Sequence, residues 1–146
     1  MILLSHIQSE EISKAIKSLR RILKDGRFQE KVRAIDRFDM SAHSGADILK
    51  TILEYDLKIV VRPYRPARWM FWKRKVRAYT TGRDIFLNVT WPEKDVSKLV
   101  ETLMHEVVHV VDDYGLFGHG SNYNQDKKTR TAPIYLAALA KEFHRD

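Results

Sequence analysis

An α+β fold is predicted by three observations: helix-spaced apolar residues at both ends of the chain, a period-two stretch with turn residues between them, and one long apolar helix pattern interrupted by polar side chains. With 146 residues, there is room for one domain and one sizeable core, and a single domain over 1–146 is expected.

The elements follow in order. Ile12, Ala15, Ile16, Leu19, Ile22 and Leu23 recur at helical spacing, Ser9 can cap their start and Gly26 can end them, so 9–25 reads as an amphipathic helix. Residues 27–39 are ambiguous, with Phe28, Val32, Ile35 and Phe38 spaced for a shorter helix. Ser44-Gly45-Ala46 opens a helix through Glu54 that turns Ile48, Leu49, Ile52 and Leu53 inward. From Leu57 the pattern changes to LKIVV, a β-branched run broken by prolines at 63 and 66. KVRAYTT alternates before Gly82 and IFLNV resumes the strand pattern, which predicts a hairpin over 75–89 and a small, mostly antiparallel sheet of about three strands. Asp95 to Tyr114 reads as a helix buried on most sides and ended by Gly115. Gly118 to Arg130 reads as a polar loop, and Thr131-Ala132-Pro133 as the entry to a last helix reaching about residue 144.

Apolar residues make up 44% of the chain and charged residues 31%, which are globular values, and no apolar run approaches the roughly 18 residues of a membrane span. Met1 to Leu4 is too short for a signal-peptide core, so a cytoplasmic location is expected. There is no cysteine, so a metal can be held only by His, Asp or Glu. The net charge of +7 is concentrated: residues 57–83 hold nine Lys or Arg and no acid, and the remainder is slightly acidic.

The chemistry is carried by MHEVVHV, residues 104–110. On a helix, positions four apart are rotated by about 40° and separated by about 6 Å, so His105 and His109 can aim imidazole nitrogens at one ion. Glu106 lies roughly 100° from His105, where its carboxylate reaches a water on that ion without being a ligand. Burying two His and a Glu without partners would cost several kcal/mol, which weighs against an unliganded polar cluster. Catalytic zinc takes three protein ligands, and His119, between two glycines beyond the helix end, is the candidate third. Glu142 and Asp112 are its rivals. Zn²⁺ is therefore the expected cofactor.

On these residues, 84–145 resembles the zincin metallopeptidases, most closely the small SprT-like or Spartan-like domains. The resemblance covers about two fifths of the chain and rests on the strand DIFLN, the H-E-x-x-H helix His105 to His109, and Gly118-His119-Gly120. It departs in a short loop before the GHG, in Tyr123 as the aromatic after it, and in the absence of a cysteine ribbon. What it implies is a zincin-like minimal metallopeptidase fold and a zinc endopeptidase in which Glu106 is the general base. Asp112 or Asp113 would orient a ligand histidine. Tyr123, with Tyr114 and Tyr135 as alternatives, would stabilise the oxyanion. If IFLNV is a sheet edge, an extended protein or peptide substrate could pair with it.

The segment RPYRPARWMFWKRKVR, residues 62–77, interleaves seven cations with Tyr64, Trp69, Phe71 and Trp72. Cations that track phosphates and aromatics that stack on unpaired bases make DNA or RNA a candidate partner. An anionic membrane surface or an acidic protein fits the same composition, and so does a strand face whose tryptophans pack into the core. The alternative function is a basic nucleic-acid-binding or partner-binding module with a structural or degenerate metal site.

Overall fold

The computed structural model describes residues 1–39, 41–55, 57–67, 69, 76–111 and 131–145. The elements run β1 (Ile2–Ser5), α1 (Glu10–Lys24), α2 (Gly26–Arg33), α3 (Gly45–Glu54), β2 (Lys58–Tyr64), β3 (Ala78–Thr81), β4 (Asp84–Asn88), α4 (Val96–Val111) and α5 (Ala132–Arg145). This is an α+β arrangement.

The helices begin where side chains satisfy their open N–H groups. Ser9 accepts from Ile12 N at the start of α1, and Ser44 forms a reciprocal capping box with Asp47 at the start of α3. Asp95 Oδ1 accepts from Ser97 N at 2.9 Å at the start of α4. Gly26, which the sequence offers as the end of α1, is instead the first residue of α2. Asp25 caps α1 and at the same time accepts from Arg27 N to open α2, so two helices meet at one residue. The ambiguous segment after residue 27 is helical to Arg33.

The sheet corrects the sequence reading. Among the described residues it has four strands in the order β1-β2-β4-β3, with β1–β2 and β2–β4 parallel and only β3–β4 antiparallel. The strand missed is β1, whose partner lies beyond three helices, so no local turn signal announces it. The expected hairpin is present, turning at Gly82 with φ +58°, a left-handed conformation that suits glycine.

Proline at 63 does not end β2. The carbonyl of Val61 accepts from His6 N, so alternate residues of β2 address β1, and Pro63 turns its missing N–H to the side where β1 has already left the sheet after Ser5. One face of the sheet, with Leu3, Ile59, Val61, Ile85 and Leu87, is buried in a single apolar cluster with the helices. The other face carries Ile2, Leu4 and Tyr79, each more than a third exposed. Helix α4 lies at the centre, against α1, α5 and the β3–β4 hairpin.

Candidate functional site

Helix α4 buries Leu99, Val100, Leu103, Met104, Val107, Val108 and Val111, which fixes its rotation. Full burial of each large aliphatic chain contributes about 1.5–3 kcal/mol, so the helix cannot turn about its axis cheaply. That rotation leaves His105 and His109 on the half-buried stripe with Glu101 and Thr102. The two imidazoles face one another, with Nε2 to Nε2 at 3.2 Å, ring centroids at 4.9 Å and planes at 69°. The i, i+4 expectation is met in geometry.

Glu106, beside this pair on the helix, is buried, 6% exposed. Its Oε2 accepts a hydrogen bond from Thr80 Oγ1 on β3 at 2.5 Å. Burial pushes the Glu106 carboxyl above its ordinary value, and the Thr80 hydroxyl pulls it partly back. Thr80 was not singled out from the sequence. Its signal was available in KVRAYTT, where alternation places Ala78 and Thr80 on the face opposite Tyr79, but only the fold shows that this face meets α4.

The other sequence candidates separate. His119, Tyr123, Asp112, Asp113 and Tyr114 lie outside the described residues. Glu142, on α5, is exposed and its Oε1 pairs with Lys31 Nζ at 3.2 Å. Tyr135 sets its ring against Phe38 at 6.3 Å between centroids. IFLNV is not a sheet edge: β4 is flanked by β2 and β3, and the edge beside α4 is β3. In the basic segment, Trp69 is 65% exposed, which does not match a tryptophan packed into the core. Tyr64 instead packs edge-on against Tyr79, which stacks on Phe86.

The donor set can be tested against zinc. Two nitrogens bound at 2.0–2.1 Å in a tetrahedral site stand about 3.3 Å apart, and the observed 3.2 Å fits that spacing. Among the described residues no third His, Asp or Glu completes a cluster with this pair.

No curated protein and no solved structure matches the chain. Residues 58–115 match the family model of the eCIS core domain, a domain of extracellular contractile injection systems, and the match runs from β2 through α4, taking in Thr80, His105, Glu106 and His109.

Proposed function

We propose that the protein is a zinc-dependent endopeptidase of the small zincin type, with His105 and His109 as metal ligands, His119 as the third and Glu106 as general base. The observation that carries this reading is the convergence of the two Nε2 atoms at 3.2 Å on a helix whose next residue is a buried carboxylate. Zinc there supplies Lewis acidity and lowers the pKa of water. Glu106 takes the proton of the attacking water and delivers it to the leaving amine; its burial favours that exchange because a raised carboxyl pKa lies nearer working pH. Thr80 holds one carboxylate oxygen, which leaves the other to address the water. Tyr123 is assigned to the developing oxyanion. An extended peptide substrate would align on β3, whose outer side has no strand partner among the described residues.

The eCIS core match supports placing this activity with an extracellular contractile injection system. The test is zinc content and cleavage of an unfolded protein substrate by wild type, Glu106→Ala and His105→Ala. Glu106→Ala should keep zinc and lose cleavage by about 10²–10⁴-fold, and His105→Ala should lose both. Unchanged cleavage in Glu106→Ala would remove Glu106 as the base.

A nucleic-acid-binding module is the second reading, favoured by the exposure of Trp69 within a basic segment. It expects single-stranded DNA affinity that falls with salt and survives His105→Ala.

A further inference from the structure

We propose that the cavity at the carboxyl ends of β1, β2 and β4 is a binding site for a monoanionic carboxylate carried on an apolar body the size of an aromatic ring. The three parallel strands end at the same side of the sheet, and the chains leaving them diverge against the first turns of α1 and α4. The space between them is a cavity of 460 Å³, within the range of small-molecule sites. None of His105, Glu106 and His109 lines it, and the proposal does not depend on the peptidase reading.

The floor of the cavity is apolar, made by Ile12, Leu87 and Leu99, each at most 7% exposed. Trp91, 54% exposed, stands on its wall. Arg65, Arg77 and Lys94 supply positive charge, and Glu11 and Glu93 negative charge. Both carboxylates are already engaged. Glu11 accepts from Ser9 Oγ at 2.7 Å, and Glu93 accepts from Asp95 N at 3.1 Å and lies 4.0 Å from Lys98 Nζ. Arg65 and Arg77 have no ion pair among the described residues.

These two arginines come from different places, one leaving β2 and the other entering β3, and the fold brings both to one cavity. Both side chains are exposed at the rim of the apolar floor, and a guanidinium there can bind a carboxylate through two parallel hydrogen bonds. Arg65, Arg77 and Lys94 outnumber the two lining carboxylates, and Glu93 is also offset by Lys98, so the lining is net positive and suits an anion, while Glu11 and Glu93 disfavour a phosphate dianion beside them. The apolar floor requires a body as well as a charge.

The test is calorimetric titration of the full chain with 3-phenylpropionate, 3-phenylpropionamide and inorganic phosphate, with melting curves to establish that each variant is folded. Saturable 1:1 binding of the acid is expected, at least about tenfold weaker for the amide, with none for phosphate. Arg65→Gln and Arg77→Gln should each weaken the acid about tenfold, and His105→Ala should leave it unchanged. Acetyl-Gly-Gly-Phe presents the same chemistry as a chain terminus; tighter binding of the peptide identifies a chain end as the occupant, and tighter binding of the free acid a small molecule. Absence of acid binding at millimolar concentration, equal binding of acid and amide, or acid binding indifferent to both arginine substitutions would overturn the proposal.

Discussion

At the scale of single residues, the site is a contrast between two neighbours on one helix. His105 is half-buried against His109, whereas Glu106 is buried and held by a hydroxyl from the sheet. Replacing Thr80 by Val keeps the shape and removes the donor, leaving a buried carboxyl without that partner. The metal-free protein should lose about 1–3 kcal/mol in urea denaturation, and cleavage should fall because Glu106 is no longer oriented. The histidine pair was legible in the sequence because i, i+4 geometry is local and the valines around it declare the helix. Thr80 was not legible as a partner, because nothing within KVRAYTT shows which element its inward face meets.

At the scale of elements, α2 and α3 depend on a backbone approach that only glycine permits. A Cβ at Gly45 would stand 2.0 Å from the Val32 carbonyl oxygen at the end of α2. Gly45→Ala must push the two helices apart, and a loss of about 2–4 kcal/mol in equilibrium unfolding is expected. The same turn carries the capping box. Its hydrogen bonds from Ser44 hold the Asp47 carboxyl below its ordinary value, so the folded pKa lies under the unfolded one. The stability this contributes is present above the unfolded pKa of about 4 and is lost as pH falls through the folded value. Melting temperatures of wild type and Asp47→Asn should therefore differ at neutral pH and converge in acid. Ser44→Ala, which removes the cap itself, should cost about 1 kcal/mol. These helix starts were readable because caps are written in a few adjacent residues. The strand pairing was not: β2 looked like a run broken by prolines, and its place between two parallel neighbours depends on where β1 stops.

At the scale of the whole molecule, one helix connects most of the structure. Helix α4 packs on α1, α5 and the hairpin, and its Glu101 pairs with Lys141 of α5 at 2.5 Å. A metal seated on α4 should therefore stabilise the whole fold rather than one loop. Added zinc should raise the melting temperature in a concentration-dependent way, with a stabilisation of about 2.7 kcal/mol at one hundred times its dissociation constant, and His109→Ala should abolish the increment. No described helix is long and apolar enough to cross a membrane. The α+β class was legible from periodicity, whereas the mixed sheet was not, because parallel pairing joins segments with other elements between them. The pairing of Leu3 with Ile59 across the whole of α1, α2 and α3 has a further consequence. During synthesis the ribosome must release three helices before β1 meets its partner, so Leu3 waits exposed for most of that time. A chaperone that recognises short apolar segments would find its target in β1 on the nascent chain and lose it once Lys58 to Val61 emerge.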